Sequence, residues 1–193
     1  AVRSEVSLPA GYTVDWGGQF ENQQRSRDRL MLIMPITLAI VFVLLYMTFN
    51  SISQAILVFL NIPVSIVGGI LLLWAMGLYM SVPASVGFIA VLGIAVQNGV
   101  VMVSFIDNLR EHGRSLAGAV RHGALLRLRP ILMTTLTTLL GLLPLLVAEG
   151  IGANVQRPLA AVVVGGIFTL VPSTLLLLPT LYGWFNPEAG TER

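Results

Sequence analysis

The chain has 193 residues, of which 55% are hydrophobic and 10% charged, whereas soluble domains carry about 25% charged residues. A water-soluble fold is excluded on that balance. The formal net charge of +2 is too small to indicate a nucleic-acid partner, and the absence of Cys excludes disulfides and thiolate metal sites. The composition therefore indicates an integral membrane protein.

The first 29 residues differ from the rest of the chain. Tyr12, Val14 and Trp16 alternate with polar residues, which predicts a β-strand, and residues 19–29 are polar and free of Pro, which predicts a helix leading into the membrane. One strand is not stable alone. The chain also starts without Met or a signal peptide. We therefore expect a fragment whose strand completes a sheet in a domain encoded upstream.

Charge-free stretches predict five transmembrane helices. Residues 30–106 contain no charged residue and no His, which leaves room for three spans of about 20 residues each. Turn-forming residues at 50–53 and 77–81 separate these spans. The predicted spans are residues 30–49, 55–76, 82–106, 130–148 and 158–185. The predicted fold is an all-α integral membrane bundle with a short N-terminal strand segment.

The segment between the third and fourth spans, residues 107–129, mixes Leu and Arg and suits an amphipathic helix in the headgroup plane. Five spans place the two chain ends on opposite sides of the membrane. The side that holds this loop and the tail at residues 186–193 has six Arg, and the other side has five. The positive-inside rule therefore slightly favours a cytoplasmic loop.

Two polar residues interrupt the third span. Gln97 and Asn98 lie near its middle, between Gly93 and Gly99. A polar side chain at that depth needs a reason, since hydrocarbon offers it no partner. One interpretation is a buried polar network that relays protons or conformational change. The other is a set of hydrogen bonds between helices with no part in transport.

The fourth span carries a group of threonines. Thr134, Thr137 and Thr138 share one helix face by their spacing, and the last two lie within a turn of Gln97 in depth. Their hydroxyls either join the same network or bond back to their own helix. The two alternatives are not separated by spacing alone.

The spans contain no acid. Gln97, Asn98 and the threonines do not titrate near neutral pH, so a proton-coupled carrier would need its proton-binding group elsewhere. Glu149 is expected to be an exposed charge. The seven Met residues could bind soft monovalent metals but more simply fill gaps between helices, and His112 and His122 have no clustered ligands. We therefore predict no catalytic residue, no metal site and no cofactor.

Several motifs resemble a known family of transporters. The motifs are GFIAVLGIAVQNGVVM at residues 87–102, RLRPILMT at 127–134, VQRPLA at 155–160, LPAGY at 8–12 and WGGQFEN at 16–22. Together they resemble the resistance-nodulation-division (RND) exporters, and within them the heavy-metal, CzcA-like branch. The resemblance covers nearly the whole chain.

The resemblance implies that residues 1–29 end a periplasmic porter domain and that residues 30–185 are helices eight to twelve of twelve. It implies a homotrimer in the bacterial inner membrane, a periplasmic adaptor, an outer-membrane channel and exchange of protons for substrate, with no enzyme activity. The family's membrane acids lie on helix four, in the N-terminal half of such a pump. Their partners would map to Gln97, Arg127 and Thr134. Together with Asn98, which is polar at the same depth, these are the candidates for the proton relay, and Thr137 and Thr138 are secondary candidates.

A neutral residue at position 97 is similar to the divalent-metal pumps, whereas drug exporters have Lys there and some monovalent-metal pumps have Glu. The resemblance thus implies the C-terminal part of a pump for heavy-metal cations. An exporter of organic solutes and a non-transporting membrane fragment remain alternatives, because residues of a periplasmic substrate pocket would separate them and none is present.

Overall fold

The computed structural model describes residues 19–150 and 152–185. Within these residues the chain is helical and has no strand, so the predicted all-α bundle is confirmed. The predicted strand at residues 12–16 lies outside the described residues. The helices are α1 (Gln19–Phe49), α2 (Ile52–Phe59), α3 (Asn61–Ala75), α4 (Val82–Glu111), α5 (Leu116–Leu146), α6 (Ala153–Pro172), a π-helix (Ser173–Leu177) and α7 (Leu178–Phe185).

Five stretches of the described chain are long and apolar enough to cross a membrane, as predicted. The second combines α2 with α3, and the fifth combines α6, the π-helix and α7. The five are Asp28–Phe49, Ile52–Ala75, Val82–Glu111, Leu116–Leu146 and Ala153–Phe185. The chain is a multi-pass membrane protein.

The helices extend beyond the spans drawn from the sequence. Residues 107–129 were expected to form a loop with a separate amphipathic helix, but α4 continues to Glu111 and α5 begins at Leu116. Only residues 112–115 separate the two helices. A charge-free stretch shows which residues can lie in the hydrocarbon core of the bilayer. A helix can continue beyond that core through turns that carry charged residues. Pro130 lies inside α5 and does not end it.

Serine caps fix the starts of two long helices. The Ser81 hydroxyl accepts a hydrogen bond from the Ala84 N–H (3.4 Å), and the Ser115 hydroxyl accepts one from the Gly118 N–H (3.3 Å). Each cap satisfies one of the free N–H groups in a first helical turn. Gly113, with φ of 82°, ends the turn that leaves α4. These residues produce the tight connection between α4 and α5.

Two spans are interrupted within their length. The break between α2 and α3 falls at Leu60, three residues before Pro63, which has no N–H to donate to the carbonyl of Phe59. In the last span, the five-residue π-helix lies between Pro172 and Pro179. Proline and π-helical turns are the usual causes of such irregularities in helices.

The chain divides into two units, residues 1–36 and 37–193. In the first unit, the described part is the beginning of α1. In the second, α3 and α6 cross closely at glycines: a Cβ at Gly68 would clash with the carbonyl oxygen of Gly165, and a Cβ at Gly165 with that of Gly68. Small residues permit this approach, which brings backbone against backbone.

Burial differs sharply among the spans of the second unit. In the most apolar stretch of the last span, α6 to α7, 56% of residues are buried, whereas in that of α5 only 6% are. The last span is therefore central, and α5 lies at the periphery of the described bundle with most of its apolar side chains uncovered.

Candidate functional site

Gln97 lies on a face of α4 that no other described helix covers. Its side chain is exposed and forms no hydrogen bond to the described part of the chain. One turn earlier, a Cβ at Gly93 would meet no atom within 4 Å, and one turn later Val101 is 37% exposed. We call Gly93, Gln97 and Val101 the open face of α4.

Asn98 lies beside the open face and is partly buried. The next residue, Gly99, faces the interior, where a Cβ would come within 2.8 Å of the Val58 side chain. Asn98 is thus at the boundary between the packed side and the open side of α4. In the described residues its side chain forms no hydrogen bond.

The threonine hydroxyls of α5 donate to carbonyls of their own helix. Thr134 bonds to Pro130 (3.1 Å) and Ile131 (3.0 Å), Thr137 to Met133 (2.9 Å), and Thr138 to Thr134 (2.9 Å). Thr134 and Thr137 are exposed and Thr138 is partly buried. In the described chain these hydroxyls do not bond to Gln97, so of the two alternatives it is the bonds back to their own helix that are present.

Arg127 connects α5 to α4. Its guanidinium carbon lies 4.8 Å from the ring centroid of Phe105, within the range of a cation–π contact. Its Nε is buried and has no hydrogen-bond partner in the described part of the chain. A buried donor without a partner is costly, so this N–H indicates a missing acceptor.

A buried polar cluster links the two interrupted spans. The Asn61 amide donates to the Thr174 hydroxyl (2.9 Å), and the Ser173 hydroxyl donates to the Asn61 amide oxygen (2.6 Å). All three side chains are at least 95% buried. These residues, the Asn61 cluster, tie the start of α3 to the π-helix, and the sequence pattern did not predict them. The available signal in the sequence was a polar residue within two positions of a proline in each span.

A second cluster, also not identified from the sequence, lies at the end of the helices that carries Glu111. Asp107 Oδ1 accepts hydrogen bonds from the Gln54 amide (3.0 Å) and from the Tyr182 hydroxyl. Arg110 Nη1 donates to the same hydroxyl (3.1 Å), with its guanidinium carbon 5.8 Å from the Tyr182 ring centroid. We call these four residues the Asp107 cluster.

At the opposite end, Arg157 of the VQRPLA motif donates from Nε to the carbonyl of Leu146 (3.2 Å). This carbonyl belongs to the last turn of α5, which lacks helical partners. Arg157 thus caps α5 from the start of α6. Glu149, in the connection between them, is exposed.

Metal ligands are not gathered in the described residues, which hold no group of three His, Cys, Asp or Glu side chains in reach of one ion. His112 Nδ1 lies 2.7 Å from the carbonyl of Asn108, one turn earlier on α4. The polar side chains described above therefore interact through hydrogen bonds and a few charged contacts.

Known proteins match almost the entire chain. The chain is 55% identical over 182 residues to the cobalt-zinc-cadmium resistance protein CzcA of Cupriavidus metallidurans, an alignment that covers 94% of this chain and 17% of that protein. It is 48% identical over 186 residues to protein HelA of Legionella pneumophila, covering 96% of this chain and 18% of that protein. The chain thus spans under a fifth of these curated relatives.

Solved structures agree with the described fold. A crystal structure of a heavy metal efflux pump superposes with a TM-score of 0.79 at 43% identity, covering 96% of this chain and 19% of that one. The model of the AcrB/AcrD/AcrF family matches residues 1–186. The resemblance to heavy-metal RND exporters is confirmed, and this chain belongs to the AcrB/AcrD/AcrF family.

Proposed function

We propose that this chain is the C-terminal membrane portion of a proton-driven pump that exports divalent heavy-metal cations. The observation that carries the proposal is the 55% identity, over 94% of the chain, to a protein named for cobalt, zinc and cadmium resistance. A relative named for nickel and cobalt resistance is 42% identical over the same share. The neutral Gln97 adds support, because it resembles the divalent-metal branch.

The geometry supports a role in proton coupling rather than in metal binding. Gln97 is exposed on the open face of α4 in the middle of a charge-free stretch, and Arg127 Nε is buried without a partner. Both would acquire partners from acid-bearing helices in the rest of the pump. Gln97, Asn98, Arg127 and Thr134 would then relay protons or the accompanying movement, and Thr137 and Thr138 would adjust the same surface.

Membership of the family supports a proposal for the remaining parts of the pump. Residues 1–29 would end a periplasmic porter domain, residues 30–185 would be five of twelve transmembrane helices, and residues 186–193 would be a cytoplasmic tail. The N-terminal half would supply the proton-binding acids. The pump would be a homotrimer in the bacterial inner membrane, with a periplasmic adaptor and an outer-membrane channel, and would catalyse transport without enzyme chemistry.

Growth of a metal-sensitive bacterial strain tests the proposal. The full-length protein that contains this chain should restore growth in zinc, cobalt or cadmium. Gln97→Leu keeps the size of the side chain but removes the hydrogen bonds proposed between Gln97 and the rest of the pump. Loss of one such bond in a relay corresponds to about fivefold slower turnover. We therefore expect lower tolerance at an unchanged amount of protein in the membrane.

Val101→Leu is the matched control, since it alters the same open face without changing polarity. It should leave tolerance at the level of the unmodified protein. If no metal gives a difference between cells with and without the pump, the metal substrate is wrong. If Gln97→Leu grows like Val101→Leu, then Gln97 only packs against neighbouring helices.

A further inference from the structure

The Asp107 cluster draws its side chains from three separate helices. Gln54 is in the first turn of α2, Asp107 and Arg110 are one turn apart near the end of α4, and Tyr182 is in the last turn of α7. Gln54, Asp107 and Arg110 are partly buried and Tyr182 is fully buried. The cluster therefore joins the start of α2 to the ends of α4 and α7, which are separated by dozens of residues along the chain.

The Tyr182 hydroxyl is both a hydrogen-bond donor and a hydrogen-bond acceptor. The hydroxyl donates to Asp107 and accepts from Arg110, so the phenol bridges an acid and a base that belong to one helix. A phenol has one donor and acceptor capacity, and both are occupied here. Phe would keep the ring in place but break both bonds. Hydrogen bonds with an ionised partner are the stronger kind, which makes this contact a firm link between α4 and α7.

The cluster lies next to a residue of the candidate site. Phe105, two residues before Asp107, holds the ring on which the Arg127 guanidinium rests. Gln97 lies ten residues before Asp107 on the same helix, or about 15 Å along its axis. The rotation and height of α4 set where both Phe105 and Gln97 lie, and the Asp107 cluster fixes α4 against α2 and α7.

We propose that Tyr182 and Asp107 are positioning residues. They hold α4 in the orientation that places Gln97, and Arg127 through its contact with Phe105, in the proton relay. This inference rests on the proposed function for its effect on transport. In the described residues neither side chain belongs to a group of three possible metal ligands. Disturbing them should therefore slow turnover and leave the apparent KM for zinc unchanged.

Hydrogen–deuterium exchange and zinc transport together test the inference. In the full-length protein, Tyr182→Phe should speed amide exchange about fivefold in residues 105–112 and 178–185, as expected for loss of a hydrogen bond, with no change at residues 82–88. Zinc turnover in proteoliposomes should fall by a similar factor. Tyr79→Phe, which removes the hydroxyl of an exposed tyrosine in the α3–α4 connection, is the matched control and should change neither quantity.

Two further variants separate positioning from general instability. Asp107→Ala should also slow turnover, and the effects of the two changes should be less than additive in the double variant, since both remove the Asp107–Tyr182 hydrogen bond. Asp107→Asn keeps an acceptor oxygen and should restore turnover to within about twofold of the unmodified protein.

The outcomes are distinguishable. Unchanged exchange in Tyr182→Phe would overturn the link between the helices. Faster exchange with unchanged turnover, or a raised KM, would overturn the positioning role. If the unmodified protein moved none of zinc, cobalt and cadmium, the proposed function and the positioning role would both fail, while the exchange data would still decide whether the link exists.

Discussion

Asn61 has both ends of its amide in use inside the bundle. One end donates to Thr174 and the other accepts from Ser173, with 1% of the Asn61 surface exposed. A polar group in this environment is tolerated because its partners replace water. The three residues hold the interrupted second span against the π-helical turn of the last span.

Replacing Asn61 by Leu tests how much this cluster contributes to the stability of the protein. The change removes two hydrogen bonds, although the two hydroxyls can turn to their own helix carbonyls, so we expect a loss of about 1–2 kcal/mol in the free energy of unfolding. Thermal unfolding of the detergent-solubilised full-length protein should show a lower midpoint. Asn154→Leu, at an exposed position near the start of α6, is the control. Equal midpoints for the two variants would contradict a stabilising role.

For single residues, the sequence shows which side chains are polar in an apolar stretch but not which of them form pairs. Gln97 was conspicuous because its span has few other polar residues. The Asn61 cluster escaped notice because the partners of Asn61 lie 113 and 112 residues further along the chain. Arg127 entered through the family motif, and its contact with Phe105 depends on how α4 and α5 cross. Such contacts are set by tertiary packing, which spacing along the chain does not report.

The helices themselves were predicted better than their ends. All five spans were found, because a charge-free stretch of sufficient length has no other stable form in a bilayer. The expected fourth span began at Pro130, whereas the helix that contains it, α5, begins fourteen residues earlier, at Leu116. Pro130 lies at an exposed position inside this continuous helix.

The crossing of α3 and α6 gives a prediction for elements. Gly165→Val would force its side chain into the backbone of Gly68 and the side chain of Leu72, so the helices would have to separate. We expect a cost of about 1–3 kcal/mol or failure to fold. Size-exclusion chromatography of a fluorescently tagged full-length protein should show a reduced folded peak.

The control for this crossing is Gly183→Val, because a Cβ at Gly183 would meet no atom within 4 Å. It should yield the same folded peak as the unmodified protein. A normal peak for Gly165→Val would mean that the close backbone approach is not needed for folding.

On the scale of the whole molecule, the chain combines a packed centre with uncovered polar groups. The last span is well buried, while most of α5 and the open face of α4 are uncovered in the described chain. On α5, the buried Nε of Arg127 has no hydrogen-bond acceptor in the described chain. The chain spans less than a fifth of the length of these relatives. Under the proposed function, the uncovered groups would find partners in the remainder of the pump.

Reconstituted transport tests that account most directly. The full-length protein in proteoliposomes containing a zinc-sensitive dye should move zinc when a proton gradient is imposed and stop when a proton ionophore collapses it. The isolated 193-residue chain should move none, because its charge-free spans hold no proton-binding acid. Zinc movement that ignores the ionophore, or gradient-driven movement by the isolated chain, would contradict the account.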